Sequence, residues 1–434
     1  MEKINVGILG FGTVGTGVAK LLMEKQKLLE SRIGAVINLK YIADIDITGD
    51  RGIQLEKGVL VPDALKVITD PEIDIIVELI GGQKIAKELT IKSLKNGKHV
   101  VTANKALLAS FGNELVRTAR ENQVDLAFEA SCGGCMPVVK TLKESLVGNR
   151  IKSITGIFNG TCNYILTKMS NENCAFDNAL KTAKEKGFAE ADPFLDIEGL
   201  DSAHKLAILT SLAYGMEINF DDIHVEGITK ISPMDIEFAK EFGYTIKLLA
   251  ISKNNSENIE ARIHPAMIPF SNPLSHVEHS MNAVIIDGDA TGPMMLYGYG
   301  AGMMPTASAV VSDITDIARN IIAGTKRRMP ILGCPESNIK IIPILSVKEI
   351  HACYYFRFTA ADQPGVLSKI SGILGDFGIS IRTVHQKGKR SSGYVPIVMI
   401  THIAKEENVQ KALKGISVLD TIMDDPVVIR IEDD

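Results

Sequence analysis

A pair of charged residues near the middle of the chain has the types and spacing of a proton-transfer site. Asp201 precedes Lys205 by four residues, so both side chains lie on one face of a predicted helix. Such pairs are usually solvated surface salt bridges of little consequence. Here the helix continues as LAILTSLA, apolar on nearly every side, and charges at the mouth of a buried helix are costly unless they are paired or used. This context favours a functional site.

A glycine-rich turn near the N-terminus predicts a dinucleotide site. The turn follows a strand-like run and opens a helix, and its residues are Gly10, Phe11, Gly12, Thr13, Val14 and Gly15. In this context the glycines permit a tight turn, the approach of the backbone to a pyrophosphate, and close packing of helix on strand. The N–H groups at the helix N-terminus then face the anion. We expect NAD or NADP to bind here, with a merely tight turn as the alternative.

The preference between the two coenzymes stays open at the level of sequence. Asp44 follows the second predicted strand, where a carboxylate would hold a ribose 2′-hydroxyl and repel a 2′-phosphate. NADP usually requires a nearby arginine, and Arg51 and Lys57 lie further along the chain. These residues favour NAD or the use of both coenzymes.

Two lysines are candidates for the chemical step. A dehydrogenase without a catalytic metal needs a cation that stabilises the oxygen gaining negative charge as hydride arrives. Lys205 is the predicted proton donor. Lys105 is the second candidate, because the segment from Thr102 to Lys105 follows a predicted parallel strand, at the sheet edge where ligands bind. Spacing alone does not distinguish Lys105 from an ordinary lysine at the start of a helix.

The elements that position these residues fall into three predicted domains. Residues 1–135 alternate β-rich runs with helix-length segments, which predicts an α/β fold with a Rossmann-type doubly wound parallel sheet, joined by a return helix at about 305–323. Residues 136–304 have longer helices and turn-bounded strands, typical of a second α+β domain. A linker at 324–346 precedes residues 347–434, whose strand-helix-strand-strand-helix-strand pattern predicts a ferredoxin-like βαββαβ unit.

The composition excludes several classes of protein. Of the 434 residues, 45% are hydrophobic and 23% charged, the balance of a globular protein. The chain has no Lys/Arg block that would track a phosphate backbone, so we expect no nucleic-acid partner. The chain lacks a secretory signal and any apolar run of about 18 residues, which predicts a cytoplasmic protein without a membrane span. Its six cysteines are too few for a disulfide framework, and Cys132 and Cys135 form a lone CxxC without the second pair of a zinc site.

A series of motifs resembles homoserine dehydrogenase across roughly residues 1–320. In chain order they are GFGTVG at 10–15, TANK at 102–105, FNGTCNYIL at 158–166, GFAEADP at 187–193, the Asp201/Lys205 pair and GYGAGMMPTASAVVSDI at 298–314. The resemblance implies interconversion of L-aspartate 4-semialdehyde and L-homoserine in threonine, methionine and isoleucine biosynthesis. It also implies that the mid-chain domain is both catalytic and dimerising, so we expect a homodimer or homotetramer.

The resemblance assigns roles to individual residues. Lys205 is implied as the proton donor in the reducing direction, with Asp201, Asp196 and Glu190 holding polar groups of the substrate. Lys105 is implied to lie near the nicotinamide and the substrate. The remaining residues implied to contact or line the cofactor are Thr102, Gly187 and Gly302.

The family's monovalent-cation loop corresponds to residues 129–137. The resemblance implies a sodium ion held by backbone carbonyls, those of Glu129, Cys132, Gly134 and Met136. The two cysteines depart from the usual pattern of apolar or small residues, but ligation by carbonyls tolerates this change. A plain tight loop after a strand is the alternative.

The C-terminal segment DQPGVL, at 362–367, resembles the ACT domain, and the resemblance covers about residues 350–434. Gly365 opens a predicted helix whose N–H groups can take a ligand carboxylate. The resemblance implies feedback regulation by an amino acid, with L-threonine as the expected effector. A module that only dimerises is the alternative.

Two other functions are consistent with parts of this pattern. A hydroxy-acid dehydrogenase with the same sensor would carry an Arg/His/Glu catalytic set, which we do not find. A non-catalytic sensor of dinucleotide and amino acid would not need Glu190, Asp201 and Lys205 together. No aspartate-kinase segment precedes Met1, which predicts a single activity.

Overall fold

The computed structural model describes residues 2–386 and 393–433, and residues 1, 387–392 and 434 lie outside the described part. The strands are β1 Lys3–Leu9, β2 Val36–Ala43, β3 Leu60–Val61, β4 Ile75–Glu78, β5 His99–Thr102, β6 Leu126–Ala127, β7 Ile151–Ile157, β8 His224–Val225, β9 Tyr244–Asn254, β10 Ile259–Pro269, β11 Met281–Gly288, β12 Gly292–Tyr299, β13 His351–Ala361, β14 Ile381–Gln386, β15 Tyr394–Thr401, β16 Ala404–Lys405 and β17 Val427–Ile431. The helices are α1 Thr13–Glu24, α2 Gln26–Ile33, α3 Ala64–Thr69, α4 Lys84–Lys95, α5 Lys105–Glu121, α6 Val138–Lys140, α7 Gly160–Glu172, α8 Phe176–Glu185, α9 Phe194–Ile197, α10 Leu200–Tyr214, α11 Pro233–Glu241, α12 Met303–Ile322, α13 Val366–Asp376 and α14 Glu406–Ser417.

The chain divides into two compact units. The first contains Met1–Ile154, Asp201–Asp221 and Met281–Ile342. The second contains Thr155–Leu200, Asp222–Ser280 and Pro343–Asp434. The predicted domain boundaries at 135, 304 and 346 stay predictions.

The first unit is built on a six-stranded parallel sheet with the order β3-β2-β1-β4-β5-β6. Its strands are apolar at successive positions because helices cover both faces, and all four residues of β4 are buried. The order reverses between β1 and β4, which creates a crevice at the carboxyl ends of these strands. The predicted doubly wound sheet is confirmed.

Helix α12 completes the core of this unit by packing against α1. The contact requires a glycine at position 17, because a Cβ there would lie 2.8 Å from Met303 and 3.0 Å from Ala307. Val310 and Ile314 of α12 are fully buried in the same cluster as the residues of β1. A late segment of the chain therefore stabilises the sheet formed by the first 130 residues.

Two local features of this unit differ from the sequence expectation. The first helix-length segment after the glycine-rich turn forms two helices, α1 and α2, which meet at Lys25. The short elements β3 and α3 follow β2 and were not predicted. A two-residue edge strand is too short to produce a periodic pattern of apolar residues.

The second unit contains a mixed sheet in which β9, β10, β17, β13, β15 and β14 are neighbours in that order. The four strands of the C-terminal module have the order β17-β13-β15-β14, which is that of a ferredoxin-like βαββαβ fold. Tyr354, Phe356 and Phe358 of β13 pack against Ile370 of α13 and Val409 of α14 to form its core. The predicted C-terminal fold is confirmed.

Buried ion pairs accompany the parallel pairing of β17 with β10. Arg430 of β17 is hydrogen-bonded to both carboxylate oxygens of Glu226 and of Glu406, each at 2.9 Å. On the neighbouring strand, Arg262 donates to Glu432 at 2.6 Å and to the ring of His264 at 2.9 Å. Removing Arg430 would leave the buried carboxylate of Glu406 without this cation, at a cost of about 3–5 kcal/mol.

A search of residues 2–386 and 393–433 finds no helix with the length and hydropathy needed to cross a bilayer.

Candidate active site

The glycine-rich turn has the shape that a pyrophosphate requires. Gly10 has φ of +101°, and a Cβ there would lie 2.5 Å from the carbonyl oxygen of Leu79. At Gly12, by contrast, a Cβ would have no protein atom within 4 Å, so open space faces the backbone. At Gly15 a Cβ would overlap the carbonyl oxygen of Gly10. Helix α1 begins at Thr13 with no side-chain cap, which leaves its N–H groups facing this space.

Two other residues predicted to contact coenzyme, Asp44 and Gly302, also belong to the first unit. Asp44 lies directly after β2 and accepts the backbone N–H of Phe11 at 2.5 Å. Gly302 has φ of +123° and precedes α12, which also starts without a side-chain cap. The space at Gly12 and the uncapped start of α1 together fit a dinucleotide.

Thr102 ends β5 and fixes the start of α5. Its hydroxyl donates to the carboxylate of Glu78 at 2.7 Å and accepts the backbone N–H of Asn104 at 3.0 Å. Burial raises the pKa of Glu78, which has no exposed surface. Asn104 caps α5 by accepting the N–H of Leu107. Lys105, the first residue of that helix, is thereby held at the carboxyl edge of the sheet.

One carboxylate joins the two predicted catalytic lysines. Oδ2 of Asp201 lies 2.7 Å from Nζ of Lys205, one turn further along α10. Oδ1 of the same side chain lies 3.0 Å from Nζ of Lys105. Asp201 and Lys205 are only 6% and 7% exposed, whereas the Lys105 side chain is 39% exposed. The first unit therefore brings together an accessible ammonium and a buried one on a single carboxylate.

The loop predicted to hold sodium contacts the helix of Lys205. In this loop, the thiol of Cys132 lies 3.8 Å from the carbonyl oxygen of Lys205. Burial raises the pKa of this thiol to about 12, so it is protonated at neutral pH. Cys132 thus acts as a small packed residue beside α10, and Cys135 is exposed.

Glu129 anchors the same loop through its side chain. Its carboxylate accepts the N–H groups of Val139 at 2.9 Å and Lys140 at 2.8 Å, and its backbone N–H donates to Asp313 at 2.8 Å. Burial, and then the charge of Asp313, raises the pKa of Glu129 to about 7. Burial likewise raises the pKa of Asp313 to about 6. This acidic pair fixes the position of the loop backbone.

The carbonyls predicted as sodium ligands are partly used within the loop. That of Glu129 accepts the N–H of Cys132, and that of Met136 accepts the N–H of Val138. Each carbonyl oxygen has a second lone pair that can bind a cation. Gly134 has φ of +60° and packs against the backbone at Tyr299. Among residues 2–386 and 393–433, no group of three or more His, Cys, Asp or Glu side chains could hold a metal ion.

The remaining predicted site residues belong to the second unit. Gly187 has φ of +74° and follows α8, and Glu190 is exposed in the segment before α9. The carboxylate of Asp196 accepts the side-chain N–H of Asn159 at 2.8 Å and lies 3.1 Å from the hydroxyl of Thr161. The roles of Gly187, Glu190 and Asp196 in binding cofactor or substrate stay predictions.

Comparison with known proteins adds independent information. The profile of the homoserine dehydrogenase NAD-binding domain matches residues 10–129, that of homoserine dehydrogenase matches 137–315, and that of the ACT domain matches 354–418. The chain is 42% identical to a homoserine dehydrogenase of Neisseria gonorrhoeae over 432 residues, covering 100% of this chain and 99% of that one. The chain belongs to the homoserine dehydrogenase family. The resemblance deduced from the motifs is confirmed.

Solved structures of the family have the same fold. A homoserine dehydrogenase from Thiobacillus denitrificans superposes with a TM-score of 0.94 at 42% identity, over 100% of this chain and 99% of that one. A hyperthermophilic archaeal homoserine dehydrogenase, solved in complex with NADPH, has a TM-score of 0.62 at 28% identity. It covers 73% of this chain and 97% of its own. The similarity to the first of these extends over all three predicted domains.

Several residues that support the site in this family member were not identified from sequence. Asn159 caps α7 by accepting the N–H of Cys162, so its amide N–H groups remain available to Asp196. The hydroxyl of Thr161 also lies 2.6 Å from the carbonyl oxygen of Phe188. The Asn-Gly-Thr sequence at 159–161 is a helix N-cap signal, which could have indicated this anchor. Glu78 and Asp313 carry no such signal, because their roles depend on long-range packing.

Proposed function

We propose that the protein catalyses the NAD(P)-dependent interconversion of L-aspartate 4-semialdehyde and L-homoserine. The observation that carries the proposal is the Asp201 carboxylate shared by Lys205 and Lys105, in the unit that also contains the glycine-rich turn. Family membership supports the same activity. The reaction is a two-electron reduction of an aldehyde to an alcohol, or its reverse.

Lys205 is the proposed proton donor in the reducing direction. A nicotinamide coenzyme, when bound at the glycine-rich turn, would supply the hydride from C4 of its ring to the aldehyde carbon. The Lys205 ammonium stabilises the oxygen as it becomes an alkoxide and transfers a proton to it, so that hydride plus proton complete the alcohol. Asp201 keeps this ammonium in place, because the 2.7 Å contact within α10 restricts its rotamers.

Lys105 is proposed to orient the substrate and coenzyme. Its Nζ is tied to Asp201 at 3.0 Å, yet its side chain is more than a third exposed, so the group can reach a ligand. Glu190 and Asp196 are proposed to bind the polar groups of the substrate, with Glu190 holding its ammonium. Opposite charge is the physical reason for that choice.

The decisive experiment measures initial rates with aspartate semialdehyde and with 2-oxo acids, each with NADH and NADPH. Reduction of the semialdehyde alone supports the proposal, and reduction of 2-oxo acids alone would identify a hydroxy-acid dehydrogenase. Coenzyme binding without turnover of either substrate would identify a sensor.

We further propose that the ACT domain makes the enzyme subject to feedback by an amino acid, with L-threonine as effector, in the biosynthesis of threonine, methionine and isoleucine. Gly365 has φ of +90° and precedes α13, which has no side-chain cap. These N–H groups suit a carboxylate ligand. Rates with and without L-threonine, with D-threonine as the stereochemical control, test this proposal. A dimerising module alone predicts no effect of either compound.

A homodimer or homotetramer is proposed as the assembly. Strand β12 supports this proposal, because Met295, Tyr297 and Tyr299 are exposed at alternate positions along it. Such a row of apolar side chains is typical of an interface. Light scattering at several protein concentrations measures the subunit number, and a monomer throughout would contradict the proposal.

Sodium is proposed as a structural ion of the loop at 129–137, on the strength of its carbonyl donors. Replacing sodium by tetramethylammonium, with potassium as the control, should lower activity if the ion organises this loop. Equal rates in all three salts would contradict the proposal.

A further inference from the structure

The two coenzymes differ only at the adenosine 2′ position, which carries a hydroxyl in NAD and a dianionic phosphate in NADP. In dinucleotide folds an acid after the second strand binds the hydroxyl, whereas an arginine nearby accommodates the phosphate. This chain has both residue types in the segment that follows β2: the acid is Asp44, and the cations are Arg51 and Lys57, of which Arg51 contacts the glycine-rich turn through Phe11. Which of them is available to a ligand therefore decides the preference.

Asp44 is fixed directly on the glycine-rich turn. Its Oδ2 accepts the N–H of Phe11 at 2.5 Å, and its Oδ1 accepts the N–H of Asp46 at 2.9 Å. Its side chain is 16% exposed, and its Oδ1 lies 3.7 Å from Nη2 of Arg51. The carboxylate is thus oriented beside the turn without movement of the loop, and each oxygen retains a lone pair for a ribose hydroxyl.

Arg51 is already used within the loop. Its Nε donates to the carbonyl of Phe11 at 2.7 Å, Nη1 to that of Gly49 at 2.7 Å, and Nη2 to the carbonyl and carboxylate of Asp46 at 2.9 and 3.1 Å. The guanidinium also lies 5.0 Å from the centre of the Phe11 ring. Four of its five N–H donors are occupied, so a phosphate held by two donors of this guanidinium would displace at least one hydrogen bond of the loop.

Acidic side chains surround Arg51 in this segment. Hydrogen bonds from the backbone of Gly49 and Thr48 hold the pKa of Asp46 at about 2, so the side chain is ionised at neutral pH. A cavity of about 290 Å³ beside the turn is lined by Asp50 and Glu56 as well as by apolar side chains of the same segment. The only basic residue in its lining is Arg51. A phosphate dianion here would meet carboxylates whose cation is already paired.

We propose that this segment makes the protein selective for NADH over NADPH. In this proposal Asp44 accepts the hydrogen bond of the adenosine 2′-hydroxyl. Arg51 is a positioning residue, which holds the loop against the glycine-rich turn through its hydrogen bond to Phe11. This inference rests on the proposed function, since it requires the turn at Gly10–Gly15 to bind a nicotinamide coenzyme. The archaeal relative solved with NADPH is only 28% identical, so its coenzyme does not determine that of this chain.

The test is direct binding to the full-length protein, measured by calorimetry and by the fluorescence of the reduced coenzymes. We expect the affinity for NADH to be at least about tenfold higher than the affinity for NADPH. Asp44→Ser should lower the affinity for NADH, so that the ratio between the affinities for NADH and NADPH falls to near one. Asp50→Asn removes one of the carboxylates that line the cavity, without a contact to Phe11, and it should change the ratio by a much smaller factor than Asp44→Ser.

Arg51→Met distinguishes a positioning residue from a phosphate ligand. If Arg51 positions the loop, the variant should bind both coenzymes more weakly by a similar factor and should have a lower Tm. Selective loss of NADPH affinity would overturn the proposal, as would wild-type NADPH binding as tight as that of NADH. If neither coenzyme bound, the proposed function itself would fail, and the selectivity with it.

Discussion

Asp201 and Lys205 form a contact of 2.7 Å between Oδ2 and Nζ, in the first turns of a helix whose side chains are buried nearly throughout. A salt bridge in that environment has lost most of its water, so the position of each group is sharply defined. The second oxygen of the carboxylate holds the Lys105 ammonium. The proposed proton donor is therefore oriented before any ligand binds.

Replacing Lys205 with methionine should reduce kcat by about 10²- to 10⁴-fold, because a positioned proton donor contributes a factor of this size. Coenzyme affinity should change little, since the glycine-rich turn is intact. Steady-state rates and NADH titrations measure the two effects. Lys98→Met is the control, because Lys98 is also buried in the first unit but its ammonium donates to two backbone carbonyls, those of Asp70 and Ile73. The Lys98 variant should have a lower Tm and a nearly unchanged kcat. An unaltered kcat in the Lys205 variant would exclude the proposed role of Lys205.

Gly12→Val should abolish coenzyme binding without unfolding the protein. The backbone at Gly12 has φ of −74°, which any residue adopts, and a Cβ there meets no protein atom within 4 Å. The added side chain would instead fill the space proposed for the pyrophosphate. Calorimetric titration and thermal unfolding measure the two properties. Gly148→Val, at another open position without positive φ, should alter neither. Retained NADH affinity at Gly12→Val would contradict this location of the site.

His264 should make the second unit sensitive to acid. Its Nε2 accepts a hydrogen bond from Arg262, which requires a neutral ring, and Nδ1 lies 2.9 Å from the carbonyl of Pro265. Burial, assisted by Arg430 and Arg262, lowers the pKa of His264 to about 3. The unfolded chain protonates this imidazole more readily than the folded protein does. The stability that the neutral ring contributes is therefore fully present above pH 6.5, and it is lost progressively as the pH falls from 6.5 toward 3.

The slope from this one group approaches about 1.4 kcal/mol per pH unit within that window. Chemical denaturation at a series of pH values measures it. His264→Gln should flatten the dependence, whereas the exposed His351, replaced in the same way, should not. An identical slope in wild type and His264→Gln would show that the ring does not control acid stability.

Asn159→Asp separates helix capping from the anchoring of Asp196. The aspartate can still cap α7, but it removes the N–H donor and places a second carboxylate beside Asp196. We expect kcat/KM to fall by about tenfold, mainly through KM, while Tm changes by a few degrees. Asn272→Asp, at an N-cap in the same unit whose side chain accepts the N–H of Leu274, is the control. An unchanged KM would argue against a positioning role for Asn159.

Much of this architecture follows from local rules. The strands of the parallel sheet were predictable because they are apolar at successive positions, and the C-terminal module because its six elements alternate clearly. The shortest elements were missed, since β3 has only two residues and the break at Lys25 has no proline or glycine to mark it.

The sequence by itself determined the glycine-rich turn and the Asp201–Lys205 pair, because a βα turn and an i, i+4 spacing are fixed by the geometry of a few consecutive residues. Only the tertiary structure decided that Lys105 joins the same carboxylate, that Arg51 donates to the glycine-rich turn at Phe11, and that His264 accepts a hydrogen bond from Arg262. Those contacts depend on how separate helices, strands and loops pack, and on which polar groups lose their water in doing so. Spacing along the chain contains no direct measure of either.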